Sequence, residues 1–509
     1  MVNTKALIYD MTLNDITTKI ATYLPVKTTQ KQQHGEVFTP PKLIIEMLNT
    51  LPKSVWSNKN LTWLDPACGI GSFSMIVYAK LMEGLKQIIP HTTTRREHII
   101  KKMLYMIELN PSNVHISQKI FGSNANIAQA NFLTEQKKWT AKFKGVDTFD
   151  IIMGNPPYNE GGIKHKGNKN IYVYFAVKSL ELLKKNGYLL FIHPPTYRIP
   201  HHKIQHTGID LNEIYTNKQI KYIKMFTIEQ TKQLMDVMIN VDYILIQNKI
   251  NDLKTPTTII DTYGHKTLEL ITPNYFIPNY GLSIMKKLKE VGEKNGTIEL
   301  ILTSENHKQQ MNKGSHPNIH GITSKGIKIC KSKHKHSIQS LRKIIINGVG
   351  SYNYVFYDKN GSYGITQSPI AIIEPSKNTL YLVNSKLFHY ITNATKIIGN
   401  NFNIQTSTFL PQITKYNGNV TSPITIRNEL DLYKYFKFTK DEIYAINKII
   451  IPDYNKNKLS CHYKQIIGDL SKKEIRNQII IPYSKHTKTR KTKRRRGKLY
   501  FNNKTLKKK

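Results

Sequence analysis

Strand-like and helix-like segments alternate between about residue 60 and residue 193, and this alternation constrains the fold more than any other feature. Amphipathic stretches of helical length separate short apolar runs, which read LTWLD, MLYMIE, FDIIMG and YLLFIH. Strands that alternate with helices form parallel sheets with helices on both faces. The sequence therefore predicts a doubly wound α/β domain, in which the helix IYVYFAVKSLELLKK ends at residue 185 and the last of these strands begins at Tyr188.

The alternation changes near residue 250, and this change predicts four regions. Two later runs, IKYIKMF and MINVDYILIQNK, complete the first sheet, the second as an antiparallel addition at its edge. We expect an N-terminal helical segment over 1–34, a catalytic domain over 35–250, an α+β domain over 251–484 and a disordered basic tail over 485–509.

The predicted α+β domain mixes short strands with helices. The strand-like runs are KIIINGVG, YNYVFYD, AIIEP and TLYLVN, and the helical ones are SKLFHYITNATKII and TKDEIYAINKII. Residues 304–327 are polar and contain glycine, which is typical of a surface loop. Candidates for residues that recognise a bound partner are the segment 304–335 and the tyrosines Tyr352 and Tyr354.

Basic residues outnumber acidic ones by 41, since the chain has 75 Lys and Arg against 34 Asp and Glu. Such a surplus favours a polyanionic partner, and nucleic acid is the first candidate. The alternative is an AT-rich genome that enriches lysine without a binding role. The tail 485–509 contains KRRR and no acidic residue. It is interpreted as an electrostatic tether to DNA, or as a nuclear import signal if the host is eukaryotic.

Cysteine and histidine patterns predict no metal site. The three cysteines are far apart, and the histidines form no HExxH or paired spacing. No apolar run reaches the ~20 residues that a membrane span needs, and the N-terminus lacks a signal-peptide pattern. We expect an intracellular protein without membrane contact, in the cytoplasm or in the nucleus of a eukaryotic host.

Two segments at predicted strand ends indicate a ligand site. LDPACGIGSF, residues 64–73, places an acid and two glycines at a strand-to-helix turn, where free backbone N–H groups meet a ligand. Glu108 ends the next strand, a position from which a carboxylate commonly accepts ribose hydroxyls. The long gap between them predicts an inserted segment at roughly 90–98. A GxG turn alone is a weak signal, since any α/β protein can contain one.

The tetrapeptide NPPY, residues 155–158, follows the predicted strand FDIIMG. At the carboxyl edge of a parallel sheet it offers two acceptors, the Asn155 side-chain oxygen and the Pro156 carbonyl, while Pro157 has no N–H to compete for them. Tyr158 adds a flat face on which a base can stack. Two acceptors and an aromatic ring suit an exocyclic amine, whose nitrogen attacks an electrophile more readily when both N–H groups are bonded.

Four segments together resemble the adenine-specific (N6) DNA methyltransferases of restriction-modification systems, in the motif order of the gamma group. They are GEVFTP at 35–40, DPACGIGSF at 65–73, NPPY at 155–158 and the strand YLLFIHPP. The resemblance is specific over about 35–250. It implies a class I methyltransferase (Rossmann-like) fold, S-adenosylmethionine as cofactor, and a target-recognition domain that binds double-stranded DNA, with the enzyme a monomer on DNA.

The resemblance also implies roles for individual residues, with Asn155, Pro156, Pro157 and Tyr158 as the catalytic set. Two further groups are expected to bind the cofactor. Thr39 and Pro40 lie near its methionine moiety. The carboxylate and amine of that moiety are surrounded by Asp65, Cys68, Gly69 and Gly71. Glu108 contacts the ribose. Asn131 and Phe132 stand where the family has an Asp-Phe pair beside the cofactor adenine, and Asn131 accepts from the amino group without a charge. Phe226 is a candidate for a second base-stacking ring, with a core position as the alternative.

Three other functions remain open. NPPY also occurs in enzymes that methylate a glutamine amide of release factors, and similar tetrapeptides occur in RNA guanine methyltransferases. An inactive nucleic-acid-binding module is another class, which the intact tetrapeptide disfavours. A fused restriction nuclease is not expected, because 34 residues precede GEVFTP and the later part has no evident PD followed by ExK.

Overall fold

A large mixed sheet organises the first half of the chain. The computed structural model describes residues 7–23, 37–159, 170–204, 206–303, 305, 314–323, 326–350, 353–399, 402–414 and 424–456. The nine strands of this sheet, in the order β3-β2-β1-β4-β5-β7-β6-β8-β9, are β1 (Trp63–Asp65), β2 (Leu104–Glu108), β3 (Asn126–Gln129), β4 (Phe149–Gly154), β5 (Leu183–His193), β6 (Lys218–Phe226), β7 (Val241–Ile250), β8 (Thr257–Ile260) and β9 (Lys266–Glu269). Strands β1 to β5 are parallel to one another. The predicted doubly wound α/β fold is therefore confirmed.

Helices flank this sheet and follow its strands. In this half they are α1 (Leu13–Tyr23), α2 (Pro41–Leu48), α3 (Ser72–Gly84), α4 (Thr92–His98), α5 (Pro111–Phe121), α6 (Gln136–Lys142), α7 (Tyr172–Leu182), α8 (Leu211–Thr216) and α9 (Ile228–Met235). Pro41 is the first residue of α2, where its missing N–H costs no hydrogen bond. A π-helical turn, Ile99–Met103, joins α4 to β2. The predicted insertion ahead of this strand is therefore helical.

Strand β7 was predicted to be antiparallel at the sheet edge, and only its direction is correct. It pairs antiparallel with both β5 and β6 and so lies between them. The short connection through α9 returns the chain beside β6, which gives an antiparallel pair. Strands β8 and β9 then extend the sheet beyond the predicted boundary at residue 250.

The start of β5 also differs from the prediction. Its strand pairing begins at Leu183, where the sequence predicted three further residues of helix α7. Phe149 pairs with Leu183 while Ile151 pairs with Tyr188, so β5 contains three extra residues that bulge out of the strand. Asn186, at φ 63°, turns the chain within this bulge. The helix-favouring residues LKK are therefore overridden by pairing with β4.

The second unit contains two three-stranded sheets and five helices among its described residues. The strands are β10 (His316–Thr323), β11 (Gly326–Ser332), β12 (Lys343–Ile346), β13 (Val355–Asp358), β14 (Gly364–Ile365) and β15 (Ile370–Ile373), in the orders β11-β10-β14 and β13-β12-β15. The helices are α10 (Leu282–Asn295), α11 (Lys377–Val383), α12 (Lys386–Thr395), α13 (Glu429–Tyr435) and α14 (Lys440–Lys456). The α+β class predicted for this unit is confirmed.

Two predictions for this unit are wrong. The run TLYLVN was predicted as a strand and is helical in α11, because the Ser376 side chain accepts from Thr379 N and starts a helix. The predicted loop 304–327 contains β10, which pairs with β11 over most of its length. The basic tail 485–509 and Tyr352 lie outside the described residues.

Separate apolar cores support the two halves. The first surrounds the large sheet, from Ile8 to Leu282, and the second packs α10 to α14 around residues such as Leu288 and Phe388. Ile199, which lies in the first half of the sequence, belongs to the second core. The halves meet where the chain leaves β5.

A buried ion pair fixes this exit from β5. Arg198 and Asp242 are fully buried, and Arg198 Nε lies 3.0 Å from Asp242 Oδ2. The Tyr197 hydroxyl donates to the same oxygen at 2.8 Å. Burial raises the pKa of Asp242 to about 6, although Arg198 and Tyr197 oppose the shift. The carboxylate is therefore ionised at pH 7, and each charge depends on the other.

We expect Asp242→Ala to lower the free energy of unfolding by about 3–5 kcal/mol, because it leaves the Arg198 guanidinium buried without a partner. Glu293→Ala, which breaks the exposed 3.6 Å pair with Lys289, is the matched control and should cost about 0.5 kcal/mol or less. Urea denaturation monitored by circular dichroism measures both. Similar losses for the two variants would contradict a structural role for the buried pair.

Candidate active site

A cavity of about 750 Å³ opens at the carboxyl edge of the large sheet. Its volume lies within the range of small-molecule sites, and this edge is where parallel sheets bind ligands. Ten of the thirteen predicted site residues line it, namely Thr39, Asp65, Cys68, Gly69, Glu108, Asn131, Phe132, Asn155, Pro156 and Pro157. Pro40, Gly71 and Tyr158 do not line it.

The Asn155 side chain is oriented by the segment before α2. Its Nδ2 donates to Val37 O at 3.2 Å and to Thr39 Oγ1 at 3.1 Å. The amide oxygen Oδ1 is buried and has no hydrogen-bond partner among the described residues. No described backbone N–H donates to the Pro156 carbonyl either. The two predicted acceptors are therefore available at the end of β4.

Tyr158 is buried, with 6% of its surface exposed, and it does not present an open face. Its ring meets Tyr172 edge to face, with 6.5 Å between centroids. Burial raises the pKa of its hydroxyl above the ordinary value, while the nearby Asn155 side chain acts in the opposite direction. Stacking of a base on Tyr158, which the sequence predicted, thus requires one face of the buried ring to become exposed.

A buried aromatic cluster lies behind Tyr158. The Tyr172 ring stacks on His193 at 5.5 Å, and its hydroxyl lies 2.7 Å from Thr196 Oγ1. His193 Nδ1 is 2.8 Å from Pro194 O and Nε2 is 3.1 Å from the Tyr215 hydroxyl, which fits a neutral ring that donates from Nδ1. Burial lowers the pKa of His193 to about 4. The His193 ring, and with it the aromatic cluster behind Tyr158, is therefore uncharged at neutral pH.

The turn after β1 brings backbone groups to the cavity. Gly69 N donates to Glu108 Oε2 at 2.8 Å, and Cys68 N donates to Ile107 O at 3.0 Å. Gly71 has φ 86°, and a Cβ there would lie 2.8 Å from the Phe121 ring, so only glycine fits. Burial raises the pKa of the Cys68 thiol well above its usual range, which makes it unreactive.

Asp65 ends β1 beneath the tetrapeptide. A Cβ added to Gly154 would lie only 2.9 Å from Asp65 Oδ1, and Gly154 has a positive φ of 152°. A glycine is therefore required immediately before Asn155. Burial raises the pKa of Asp65 to about 8, and the neighbouring Glu108 adds to the rise, while a hydrogen bond from Ala67 opposes it.

The Glu108 carboxylate joins two loops of the site. One oxygen accepts from Gly69 N and the other from Asn110 N at 2.7 Å. A carboxylate has about four lone-pair positions, so it can accept further hydroxyl groups. The geometry is compatible with the expected ribose contact.

Asn131 does not have the acceptor capacity that was predicted for it. Its Oδ1 accepts from Leu133 N at 2.9 Å and from Thr134 N at 3.3 Å, so both lone pairs are used within the loop. Its own N–H donates to Glu135 Oε2. Asn131 therefore shapes the loop after β3, and its oxygen is bonded within that loop.

Phe132 forms part of an apolar wall. Its ring packs at 5.2 Å from Phe175 and at 6.3 Å from Trp139. Lys178 Nζ lies 5.3 Å above the Phe132 ring and donates to Leu133 O. Phe226, the candidate second stacking ring, lies in the core beside Tyr243 at 6.2 Å, which supports the alternative core interpretation.

Several lining residues were not predicted. Leu109, Asn110 and Pro111 directly follow Glu108, so their position at a strand end was a usable signal. Phe175 lies on α7, and its inward direction depends on how that helix packs. Val37 holds Asn155 through a backbone oxygen, which any residue type supplies, so the sequence contained no signal for it.

Neither a metal cluster nor a membrane helix is found in the described ranges. No three His, Cys, Asp or Glu side chains there come close enough to hold a metal ion. No described helix combines the length and apolar character that a membrane span needs.

Comparisons with known proteins agree with this geometry. Residues 90–231 match the family model described as Eco57I restriction-modification methylase. A relative named as an uncharacterised adenine-specific methylase, from Mycoplasma pneumoniae, is 29% identical over an alignment that covers 38% of this chain and 62% of that protein. The predicted resemblance to adenine-specific methylases is confirmed. The chain thus matches less than two thirds of the length of this curated relative.

The fold is also that of a solved restriction-modification enzyme. The structure of the Type IIL enzyme MmeI in complex with DNA aligns with a TM-score of 0.50 and 11% identity. The alignment covers 79% of this chain and 70% of that one. Together with the strand order, this likeness confirms the predicted class I methyltransferase fold.

S-adenosylmethionine, the cofactor that the resemblance implies, fits the cavity. Asp65 and Glu108 are the acidic residues that line it, and the cofactor carries a sulfonium and an ammonium group. Phe132 and Phe175 supply apolar surface for its adenine. A cavity that combines the Glu108 carboxylate with apolar surface, within a strongly basic chain, suits such a cation.

The raised pKa of Asp65 predicts a pH-dependent stability. The folded chain keeps a proton that the unfolded chain loses above pH 4, so the stability contributed by Asp65 falls as the pH rises from about 4 to about 8. Asp65→Asn should remove this fall, which is at most about 1.4 kcal/mol per pH unit.

Urea denaturation of both proteins without ligand at pH 5, 6, 7 and 8 measures the difference. The advantage of the Asn variant should increase up to pH 8 and then remain constant. Stability curves that stay parallel across this range would show that Asp65 is ionised throughout.

Proposed function

We propose that this chain transfers a methyl group from S-adenosylmethionine to the exocyclic N6 amine of adenine in DNA. The observation that carries the proposal is the fixed Asn155 amide, whose buried Oδ1 has no described partner. An unsatisfied buried acceptor is costly, and a ligand N–H removes the cost. The adjacent Pro156 carbonyl supplies the second acceptor that an amine with two N–H groups needs.

The residues around Asn155 have distinct tasks in this proposal. Thr39 and the Val37 carbonyl hold Nδ2, so Oδ1 is directed to the amine without a loss of rotamer freedom at the moment of reaction. Hydrogen bonds from both N–H groups localise the nitrogen lone pair. When bound, S-adenosylmethionine supplies an electrophilic methyl group on sulfur. Asn155 and Pro156 then orient the nitrogen lone pair towards it.

The cofactor contacts follow from the cavity wall. We assign Asp65, Cys68 and Gly69 to the methionine moiety and Glu108 to the ribose hydroxyls. Phe132 packs beside the adenine, together with Phe175. Pro40 and Gly71, which do not line the cavity, act through the backbone shape of their loops.

Double-stranded DNA is the proposed partner, bound by a monomer. Base chemistry in a duplex requires the base to leave the stack, and the second unit supplies surface for the neighbouring bases. The +41 charge supports an anionic partner. We place the recognition unit after β9, since the sheet extends to that strand, and the protein inside the cell.

A glutamine amide or an RNA base makes the same chemical demand on NPPY. The match to a restriction-modification methylase model favours DNA over both, and the basic charge of the chain favours a nucleic acid over a protein amide. An inactive binding module would have no need for an oriented Asn155 amide. Labelled methyl found on tRNA or on protein would reverse this order.

Asn155→Ala should reduce methyl transfer by about 10²-fold or more, because it removes an oriented acceptor at the reacting nitrogen. Binding of the cofactor, measured by calorimetry, should change little. The assay follows labelled methyl from S-adenosylmethionine into adenine of genomic DNA that lacks the modification. Wild-type chain that binds the cofactor but labels no adenine would refute the proposed reaction.

Thr39→Val should lower kcat by roughly tenfold, since the loss of one hydrogen bond lets the Asn155 amide rotate. Its KM for DNA should change less. Thr50→Val is the matched control, because that hydroxyl bonds only within its own turn, to Met47 O. Equal kcat values for the two variants would show that the amide needs no support from Thr39.

A further inference from the structure

The hairpin of β10 and β11, with the segment that follows it, is strongly basic. We call residues 314–323 and 326–335 the basic hairpin. It lies inside residues 306–357, a stretch with no acidic residue and nine basic ones, which are Lys308, Lys313, Lys325, Lys328, Lys331, Lys333, Lys335, Arg342 and Lys343. A run of one sign over about fifty residues is unusual even for a lysine-rich chain.

The lysines of the basic hairpin are exposed and accessible. Lys328 and Lys331 lie on β11, and Lys333 and Lys335 follow it. None of these four forms an ion pair with a carboxylate in the described part of the chain. Their charge is therefore directed to solvent or to a partner.

Protection of a sheet edge does not explain this pattern. Strand β11 is the edge of its sheet, and edge lysines discourage pairing between chains. Strand β9, the edge of the large sheet, combines Lys266 with Glu269, which pairs with Lys286. An edge strand of this protein can therefore carry charges of both signs. The single sign of the basic hairpin needs another reason.

Hydrogen bonds connect the tip of the basic hairpin to the end of β12. Ile322 N donates to Asn347 Oδ1 at 3.3 Å. Gly348, the next residue but one after β12, accepts from Phe402 N at 2.9 Å. The tip of the hairpin therefore lies on the same side of the second unit as the loop that contains Phe402.

That loop contacts the catalytic half. The Gln405 side chain donates to Pro200 O, and Pro200 lies a few residues after β5 ends at His193. The end of β5 is next to the end of β4, since Phe191 pairs with Gly154. Asn155 follows Gly154 directly. This path links the tip of the hairpin to the carboxyl edge where the cavity opens.

We propose that the basic hairpin binds the phosphate backbone of the DNA whose base enters the cavity. This inference rests on the proposed function. Successive side chains of a strand alternate between its faces, so Lys328 and Lys331 lie on opposite faces of the edge strand β11, and with Lys333 they place exposed positive charge along this edge of the sheet. Lysines contact phosphates as point charges and carry no base information. The hairpin holds the duplex in position and leaves the choice of sequence to other loops.

The test compares two triple variants of the full chain that change the charge equally. Lys328→Gln, Lys331→Gln and Lys333→Gln remove hairpin charge. Lys102→Gln, Lys142→Gln and Lys185→Gln form the control, because these exposed lysines lie near the amino ends of β2, β4 and β5, on the opposite sheet edge. Equilibrium binding to a duplex of about 30 base pairs is measured as a function of salt concentration.

The hairpin variant should reduce the slope of log affinity against log salt by about 2 to 3, and the control should change it by less than about 1. At 0.1 M salt the hairpin variant should bind roughly tenfold to a hundredfold more weakly. Replacement of the same three lysines by arginine should retain the slope, because the charge is kept. The methylated sequence should be the same in all variants.

Three results would overturn the proposal. These are equal slope changes in the hairpin and control variants, a changed methylated sequence in the hairpin variant, or a hairpin effect on duplex RNA that exceeds the effect on DNA. Measurement of cofactor binding by each variant distinguishes failure of the hairpin proposal from failure of the proposed function. A wild-type chain that binds no S-adenosylmethionine refutes the enzyme activity, and a chain that methylates DNA with an unaltered hairpin slope refutes the hairpin alone.

Discussion

The orientation of the Asn155 amide is the constraint on which the site depends. Its two hydrogen bonds reach back 118 and 116 residues along the chain, to Val37 and Thr39. They exist only because α2 packs against the sheet, with Leu43, Ile44 and Met47 buried in its core. Burial of an apolar helix face thus determines which atom of one side chain faces the cavity. Fold stability and chemical competence depend on the same contacts.

The acidic residues of the cavity contrast with the positive net charge of the rest of the chain. The chain is strongly basic, yet two carboxylates, Asp65 and Glu108, end neighbouring parallel strands and meet at one edge. Burial raises the pKa of Asp65 to about 8, and the neighbouring Glu108 adds to the rise. The cavity with its carboxyl groups and the basic hairpin thus lie in different halves of the chain.

The sequence was sufficient for features that depend on local pattern and strand order. Alternating periodicity and motif order predicted the parallel strands and ten lining residues of the cavity. The sequence reading failed at Leu183, where pairing with the distant strand β4 overrides helix propensity. It also failed at Thr379, where a local cap by Ser376 starts a helix in a run of strand-like residues. Asn131 was assigned from the family resemblance and Tyr158 from the tetrapeptide. The structure adds that the Asn131 oxygen is bonded within its own turn and that Tyr172 packs edge to face with Tyr158, which depend on three-dimensional contacts.

The segment that matches the methylase family begins at residue 90, after the partners of Asn155. A fragment limited to 90–231 would contain the tetrapeptide but neither Thr39 nor Asp65. In such a fragment the Asn155 side chain would lack both hydrogen bonds that orient it, and the cavity would lack part of its wall. The structural unit that orients Asn155 is therefore longer than the segment by which the family is recognised.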